Sequence, residues 1–504
     1  MEGEELLKHY RKTGLILFFG LTVITVLSCL HTTPQGPFDA RDYTRIAGMR
    51  VEFHPWEALF EPLASPFLIP AGSPDFQVSC GIMIVWVLLA AAAWGMFAEF
   101  RAGRQNRSLR IWPILLKGIR SALVTGSTLM LIICLFVAGR IPGWRLVVDD
   151  PDLIVADLHC HTTKSPDALV TLKTNLKWHA SCGYNVAALT EHNQLFAHET
   201  LMGADSSFDR LPAFISGLEA HTGPRTMLLG LCRDPQIPFE KQKVDEYPDR
   251  SAWFSNKIHE ECGGAVIGLT LKRLAPGDIA RLVDDGVDGF EIANSGHPEM
   301  GPDLRREVLD TCRARGIPLV ASTDWHGWTG MSRAWTVIRA PGSSALSRSE
   351  RANLVIRKLR EHDSADIIPV VAGYMGDASL AHSIFSPIVE TLRYAQELSA
   401  ARVISWWIWT WAIFALWVFL YRIGIAPGGF LLGLLTCAVG LGLIAAGISL
   451  IGQGIVSAAS YPIHFGLLPL GLGAGVLGYS IFSLVTLLRL RGGLRGHESP
   501  LSGS

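Results

Sequence analysis

Six stretches of this chain contain no charged residue and approach or exceed the roughly 20 apolar residues that a helix needs to cross a bilayer. Three precede a more polar middle segment and three follow it, at residues 14–30, 79–98, 121–139, 403–421, 429–451 and 463–488. They predict six transmembrane helices. The first is the shortest, so a cleaved signal segment is an alternative to the preferred interpretation of an uncleaved anchor helix.

The apolar stretches divide the chain into four regions. These are an N-terminal membrane region at 1–145, a polar domain at 146–345, a helical connector at 346–402 and a C-terminal membrane region at 403–504. Lys and Arg crowd residues 101–120 and the tail after 488, whereas the loops at 31–78 and 452–462 are poorer in them. Because short basic loops stay in the cytoplasm, both termini are predicted to be cytoplasmic and the polar domain extracytoplasmic, in a bacterial-type plasma membrane.

A pair of histidines marks the start of the polar domain. Residues 153–156 form a short apolar run that predicts a buried strand, and Asp157-Leu158-His159-Cys160-His161 follows it. Alternation along a strand turns His159 and His161 to the same side, about 7 Å apart, where both can reach one metal ion. The alternative is that they are two solvated loop histidines, so partners are needed to support a metal site.

Three further apolar runs also end in residues that bind metals. Residues 186–190 lead to Glu191-His192-Asn193, residues 213–218 lead to Glu219, and residues 318–323 lead to Asp324-Trp325-His326. Helix-like segments that end at glycine alternate with these runs, which favours an α/β barrel. Active sites of such barrels lie at the carboxyl ends of the strands, so the four runs predict one metal centre there.

In this order and spacing, the segments DLHCHTTKSPD, LTEHN, GLE, GFEIAN and STDWH resemble the polymerase and histidinol phosphatase (PHP) family of metal-dependent phosphoesterases. The resemblance covers residues 152–340. It implies an α/β fold, a distorted (β/α)7-type barrel, here inserted between two groups of three transmembrane helices. It also implies one metal site formed by His159, His161, Glu219 and Asp324, and a second formed by Asp167, His192 and His326.

The resemblance implies a third metal site in the family, and this chain departs from it there. Met227 and Thr270 stand at the positions of two histidine ligands. A thioether and a neutral hydroxyl are poor ligands for hard or borderline ions, so two divalent transition-metal ions are expected, with Mn, Fe and Zn all open. His221 and His297 are close in sequence and could compensate, although a structural or solvated role is preferred for both.

The charge of the polar domain bears on its partners. Residues 150–340 contain 26 acidic and 19 basic residues, a net charge of −7, which is unfavourable for nucleic-acid binding. The expected substrate is instead a phosphorylated small molecule, lipid or glycan at the membrane, and the oligomeric state is left open. Five basic residues near the motifs are candidates to bind phosphate, with a solvated role as the alternative for each: Lys164, Arg225, Lys272, Arg273 and Arg333.

The preferred function is a membrane-anchored phosphoesterase, a phosphatase or a phosphodiesterase. Water bound to a divalent ion becomes a nucleophile near neutral pH, and two ions can hold the attacking and leaving oxygens at phosphorus. Two alternatives remain open. One is a non-catalytic metal-binding or sensory domain on a membrane anchor, and the other is a metal-dependent hydrolase of a non-phosphate bond.

Overall fold

A computed structural model describes most of the chain. The residues outside its description are 1–2, 31–35, 54–57, 72–75, 106–109, 140–143, 197–207, 209, 234–249, 271–273, 297–299, 328–331, 374, 376–379, 423–431, 458–462, 465, 479 and 482–504.

Among the described residues, the polar domain shares a curled sheet of ten strands with β1 of the preceding loop and with β12 of the segment predicted as a helical connector. The strand order is β1-β12-β11-β4-β5-β6-β7-β8-β9-β10, and β2 and β3 form a separate pair. The strands are β1 (Phe38–Asp39), β2 (Met49–Phe53), β3 (Trp144–Val148), β4 (Leu153–Cys160), β5 (Val186–His192), β6 (Ala213–His221), β7 (Met227–Cys232), β8 (Ala265–Leu269), β9 (Gly289–Asn294), β10 (Leu319–Ser322), β11 (Ala334–Arg339) and β12 (Ile367–Val371).

The sheet curls until its last strand reaches its fourth. The backbone N–H of His161 donates to Trp325 O at 3.0 Å, and the N–H of Asp324 donates to His159 O at 2.8 Å, just beyond the end of β10. Every residue of β8, β9, β10 and β12 is buried, as expected of strands covered on both faces. The expected barrel is thereby supported as a curled α/β sheet.

The strand directions depart from a strict sevenfold alternation of strand and helix. β4, β5 and β6 are parallel, and so are β8, β9 and β10, but β7 runs antiparallel to both β6 and β8. Only five residues lie between β6 and β7, which is enough for a hairpin but too short for a crossover helix. β11, β12 and β1 extend the sheet beyond the barrel strands.

Helices of the polar domain cover the sheet and connect its strands. They are α5 (Leu172–Ser181), α6 (Ser251–Glu261), α7 (Asp278–Asp284), α8 (Pro302–Arg315) and α9 (Arg348–Arg360). Trp178 of α5 stacks on Trp325 with 4.0 Å between ring centroids, which fixes α5 behind the end of β10. Helix α9 begins with a capping box between Ser347 and Glu350.

Within the described part of the chain, four helices are long and apolar enough to cross a membrane, at Tyr10–Cys29, Val78–Arg104, Ile111–Ile132 and Ala400–Arg422. They belong to α1 (Gly3–Cys29), α3 (Phe76–Gln105), α4 (Ile111–Gly139) and α11 (Ala400–Arg422), while α2 (Glu61–Ala71) and α10 (Leu380–Gln396) are shorter. The third begins ten residues before the predicted 121–139, so Lys117 and Arg120 lie within it.

The two remaining predicted spans are described in part. Helix α12 (Leu432–Ser457) covers most of 429–451, and α13 (Gly466–Gly478) lies within 463–488. Their described apolar portions, Thr436–Gly452 and Gly466–Gly478, are shorter than a full span. The count of six spans therefore stays a prediction.

The loop before the second predicted span joins the polar domain. β1 pairs with β12, and β2 pairs with β3 along its whole length. Tyr43 also donates a hydrogen bond from its hydroxyl to Met375 O at 2.8 Å. Residues 38–53 and the polar domain therefore lie on the same side of any membrane that the apolar helices cross.

A buried ion pair connects this loop to the helices that follow the domain. Arg402 of α11 donates from Nη2 to Glu61 Oε1 at 2.6 Å, and Tyr394 of α10 donates to the same oxygen at 2.6 Å. The Arg402 guanidinium also lies 4.1 Å from the ring centroid of Phe53. The side chains of Arg402 and Glu61 are 3% and 0% exposed, so this pair is removed from water.

Candidate metal centre

The carboxyl ends of β4, β6 and β10 bring four predicted ligands together. Asp324 Oδ1 lies 3.3 Å from His159 Nε2 and 3.1 Å from His161 Nε2. Glu219 Oε2 lies 3.6 Å and 3.4 Å from the same two nitrogens. All four side chains are buried, and three of these atoms, His159 Nε2, His161 Nε2 and Glu219 Oε2, make no aligned hydrogen bond among the described residues.

The spacing of these four atoms fits a shared cation. An ion held tetrahedrally at about 2.0–2.2 Å from each ligand keeps neighbouring ligand atoms roughly 3.3–3.6 Å apart. The four separations between an imidazole nitrogen and a carboxylate oxygen are 3.1–3.6 Å, close to that value, and His159, His161 and Glu219 are near enough to one another to share an ion. Buried polar atoms are normally hydrogen-bonded, so the convergence of His159 Nε2, His161 Nε2 and Glu219 Oε2 without aligned bonds favours a cation between them.

The second predicted group lies beside the first. Asp167 Oδ2 is 3.1 Å from His192 Nε2 and 3.5 Å from His326 Nε2, and these two nitrogens are 3.5 Å apart. His161 stacks against both imidazoles, with centroids 4.5 Å from His192 and 4.1 Å from His326. Glu219 Oε2 is 2.8 Å from His192 Nδ1, so this carboxylate links the two groups.

Two of the histidines are oriented by carboxylates behind them. His159 Nδ1 is 3.3 Å from Glu291 Oε1, so it can donate there while Nε2 faces the centre. His161 Nδ1 is 3.1 Å from Ser165 Oγ, whose hydroxyl donates to Glu191 Oε2 at 2.7 Å. Such partners fix the tautomer and ring direction of metal-binding histidines.

The backbone orients His326 and Asp324. His326 Nδ1 lies 2.8 Å from Asp324 O, which leaves Nε2 directed at Asp167. Asp324 itself has a φ of 52°, in the left-handed region that a residue with a side chain seldom adopts. A Cβ on Gly296 would lie 3.2 Å from Asp324 Oδ2, so glycine allows this segment to approach the carboxylate closely. Strain of this kind is typical of functional sites.

The pKa values of His161 and His192 are shifted in opposite directions by their surroundings. Burial lowers the pKa of His161 to about 3, and the nearby imidazole of His326 acts in the same direction. Burial also works to lower the pKa of His192, but its contacts with Asp167 and Glu219 outweigh this and raise it to about 10. His161 is therefore neutral and ready to coordinate, whereas a cation at His192 must displace a proton.

The central carboxylates are held in the ionised form. Burial works to raise the pKa of Glu219, but the imidazoles of His159 and His192 outweigh it and hold the pKa well below its usual range. For Asp324, burial is again outweighed, chiefly by the imidazoles of His159 and His326, and the pKa is lowered. Ionised carboxylates next to neutral imidazole form a mixed N/O set that suits Mn, Fe or Zn.

Met227 and Thr270, which stand where the third-site histidines are missing, make other contacts. Thr270 donates from Oγ1 to Glu291 O at 2.5 Å, and Met227 lies opposite His221 in the β6–β7 pair. His297 lies outside the described residues. No described residue from these positions joins the two groups above.

The predicted phosphate-binding residues differ in their exposure to solvent. Lys164 is exposed, 5.5 Å from the ring centroid of Phe196, on the loop between His161 and Asp167. Arg225 is exposed in the β6–β7 turn, 4.0 Å from Asp278. Lys272 and Arg273 lie outside the described residues.

Arg333 differs from these exposed residues because it is buried. Its guanidinium lies 5.5 Å from the ring centroid of Trp144, and its backbone N–H donates to Ser295 Oγ at 3.3 Å. Burial lowers its pKa to about 10. It lies just before β11, at the edge of the sheet where β4 ends.

Glu291 and Glu191 were not predicted as site residues. Glu291 lies on β9 within the quoted segment GFEIAN, and its Oε2 accepts from Asn294 Nδ2 at 2.9 Å. Glu191 accepts hydrogen bonds from Thr162 as well as Ser165. Both follow the same pattern that identified the ligands, an acidic residue near the end of an apolar run, and that pattern could have found them.

A third group of possible ligands, Asp157, Cys160 and His179, lies behind the centre. The Asp157 carboxylate already accepts from His159 N, Thr323 and His179 Nε2, the last at 2.8 Å. Burial raises the pKa of the Cys160 thiol well above its ordinary value, which disfavours the thiolate that a metal needs. This group therefore connects β4, β10 and α5, and Cys160 is packed in the barrel wall.

Replacing Glu291 by Gln is expected to weaken metal binding by about 10- to 100-fold, the usual cost of removing a partner behind a metal-binding histidine. Gln keeps the shape of the side chain but loses the charge that holds the Nδ1 proton of His159. Metal titration of the purified protein measures the change. Glu260→Gln, at an exposed position of α6, is the matched control, and equal affinities in the two variants would contradict the assigned role.

No protein-family model matches the chain, and no curated protein matches it. Solved structures that align with part of it include a protein described as a metal-dependent phosphoesterase from Bifidobacterium adolescentis, at 16% identity over 34% of this chain and 88% of that chain, with a TM-score of 0.29. PsfC from Pseudomonas syringae aligns at 13% identity over 49% and 100%, with a TM-score of 0.31. An amidohydrolase from Chromobacterium violaceum aligns at 15% identity over 34% and 87%, with a TM-score of 0.27. Likeness at this level leaves function to the geometry of the site.

Proposed function

We propose that this chain is a membrane-anchored, metal-dependent hydrolase that cleaves phosphoester bonds. The convergence of buried ligand atoms from His159, His161, Glu219 and Asp324, at the separations of a coordination shell, carries this proposal. The adjacent group of Asp167, His192 and His326 supports a second ion, because Glu219 contacts both groups. The seven residues resemble two ligand sets of the PHP family.

Two bound divalent ions would supply an activated water and neutralise charge on a phosphoryl group. The chain's own residues prepare the place for them. Glu291 and Ser165 fix the ring directions of His159 and His161, and the buried walls limit access of bulk water. Asp167 is 44% exposed, so this group lies on the open side where a substrate enters.

Purified full-length protein is expected to hold about two transition-metal ions per chain, because two ligand sets are complete and the third lacks histidine at Met227 and Thr270. Elemental analysis after dialysis measures this content. Three tightly held ions would show that a residue outside these two groups, such as His221 or His297, completes another site.

Activity is tested on the same metal-loaded protein. Phosphomonoesters and phosphodiesters are offered together with carboxylic esters and amides, and hydrolysis of a phosphoester is the expected result. Cleavage of carboxylic esters or amides alone would favour the hydrolase of a non-phosphate bond. A metal-loaded protein that cleaves none of them would favour the sensory domain.

The proposed topology has six spans, cytoplasmic termini and an extracytoplasmic domain. It is supported by the pairing of β1 with β12 and of β2 with β3, because two spans between residue 53 and residue 144 return the chain to the same side. The basic residues of 101–120 would then lie on the cytoplasmic side.

In intact spheroplasts, a membrane-impermeant maleimide is expected to label the Asp303→Cys variant more strongly than the parent protein, which contains only the native cysteines. Asp303 has a side chain that is 94% exposed on α8, so access depends only on the side of the membrane. Arg110→Cys, at an exposed position between the candidate spans Val78–Arg104 and Ile111–Ile132, should be labelled only after the cells are opened. The reverse pattern would contradict the orientation.

A further inference from the structure

Helix α10 presents an apolar face that the polar domain does not cover. Its exposed large side chains are Ile384, Phe385, Ile388, Val389 and Leu392, each 36–53% exposed. They recur at intervals of three and four residues, so they lie on one side of the helix. A face of this kind on a water-soluble surface would be costly, at roughly 25 cal/mol for each Å² left in water.

The other side of α10 is polar and buried. Glu390 is 1% exposed, and it lies 3.1 Å from Arg393 Nη1 and 3.1 Å from His382 Nε2. The charges of Glu397, Arg393 and Glu390 act on the pKa of Arg333 in the polar domain, after the larger effect of its burial. The side of α10 that carries Glu390 is therefore buried, and the exposed apolar side lies opposite to it.

The neighbours of α10 indicate what covers the apolar side. The helix packs against α1, α2 and α3, and two of these are long and apolar enough to cross a membrane. Only residues 397–399 separate it from α11, a third such helix. Near α2, Leu59, Phe60 and Leu63 are 41–56% exposed, and Trp409 of α11 donates to Leu59 O at 2.7 Å. The apolar side is continuous with helices that themselves expose apolar side chains, as lipid-facing helices do.

Helix α10 also lies at the end of the sheet that carries the metal centre. β12 runs antiparallel to β11, and β11 runs antiparallel to β4, so β12 ends at the same edge as β4. The chain leaves β12 at Val371 and reaches α10 at Leu380, passing Met375, which is held by Tyr43. Ser295 and Gly296 follow β9 in one loop. The hydroxyl of Ser295 accepts a hydrogen bond from the backbone N–H of Arg333, and Gly296 lies close to the side chain of Asp324.

We infer that α10 lies in the bilayer surface and holds the metal centre over it, so that the substrate is a membrane lipid whose headgroup carries the phosphoester. This inference rests on the proposed phosphoesterase function. A helix with one apolar and one polar side buries its apolar side at the boundary of headgroups and acyl chains. A site held there meets lipid headgroups at a far higher effective concentration than a solute, by the same reasoning as for tethered ligands.

The position of α10 is tested on the full-length protein in phospholipid vesicles. Ile388 is replaced by a photo-crosslinking benzoylphenylalanine, and the products of irradiation are identified by mass spectrometry. Crosslinks to lipid are expected. Trp253, a 43% exposed residue on α6 of the polar domain, is replaced in the same way as the matched control and should give none. Crosslinks from position 388 to a second copy of the chain, or to protein only, would overturn the inference.

The substrate class is tested with pairs that share a headgroup. Diacylglycerol phosphate in the vesicles is compared with glycerol phosphate, and phosphatidylglycerol is compared with glycerophosphoglycerol. The lipid member of the cleaved pair is expected to have a kcat/KM at least about a hundredfold higher, within the range that tethering produces. Ile388→Glu should lower that rate at least tenfold and leave the soluble member within twofold, whereas Trp253→Glu should change neither.

The outcomes separate this inference from the proposed function. Equal kcat/KM for the lipid and soluble members would overturn the lipid substrate and leave the phosphoesterase standing. No cleavage of any member by metal-loaded protein, with the wider ester panel also inert, would overturn the phosphoesterase and the lipid substrate together. In that case the crosslink from position 388 still decides whether α10 lies in the bilayer.

Discussion

Replacing Asp324 or His161 by alanine is expected to lower phosphoester hydrolysis by at least about a hundredfold, the scale of removing a main electrostatic element from an active site. Each side chain supplies one of four converging ligand atoms, and their Oδ1 and Nε2 atoms are 3.1 Å apart. Losing either atom should therefore reduce metal occupancy as well as rate. Initial rates and bound metal are measured on the same preparation.

The control for these two variants is a substitution outside the candidate metal centre. Asp303→Ala removes a carboxylate of the same type from a 94% exposed position on α8, and both rate and metal content should stay within a few-fold of the parent. Asp324→Ala also places alanine at a φ of 52°, which costs alanine more than it costs aspartate, so folding is checked by thermal unfolding. Unchanged activity in folded Asp324→Ala and His161→Ala would exclude the assigned metal site.

Replacing Glu61 by Gln is expected to destabilise the protein by about 3–5 kcal/mol, the usual cost of leaving one partner of a buried ion pair without the other. Glu61 is 0% exposed and accepts hydrogen bonds from both Arg402 and Tyr394. Gln keeps the size of the side chain but leaves the Arg402 guanidinium buried without a counter-charge. Thermal unfolding of the full-length protein in detergent measures the loss.

An exposed ion pair provides the matched control. Arg50 and Glu52 lie 2.5 Å apart, with side chains 55% and 47% exposed, and Glu52→Gln should cost less than about 1 kcal/mol. Adding Arg402→Met to Glu61→Gln removes the uncompensated charge and should restore part of the lost stability. A similar loss in Glu52→Gln and Glu61→Gln would show that burial of the pair is not what stabilises this junction.

Local sequence predicted which strands end in the residues of the candidate metal centre. β4, β5, β6 and β10 lie where the apolar runs were found, and their ends bring together His159, His161, Glu219 and Asp324. This works because a short apolar run followed by a polar residue reports both a buried strand and its end. Whether these residues hold two ions stays a prediction until metal content is measured.

Other features depended on which distant segments meet. The antiparallel β7 breaks the expected alternation because the link between β6 and β7 is too short for a helix. Glu291 reaches His159 across 132 positions of sequence, so no spacing motif reports the contact. The burial of Arg333 is likewise not visible in local sequence. This residue was a candidate to bind phosphate, and its guanidinium lies 5.5 Å from the ring centroid of Trp144.

The sequence by itself determined what depends on neighbouring residues: the apolar stretches, the basic flanks, the buried strands and the metal-binding residue types at their ends. Only the tertiary structure decided what depends on residues far apart in the chain. It joined β1 to β12, paired Glu61 with Arg402 across 341 positions and packed α10 against α1, α2 and α3. The physical reason is that periodicity and residue type are local, whereas a buried charge or a strand edge is satisfied by whichever distant group packing brings to it.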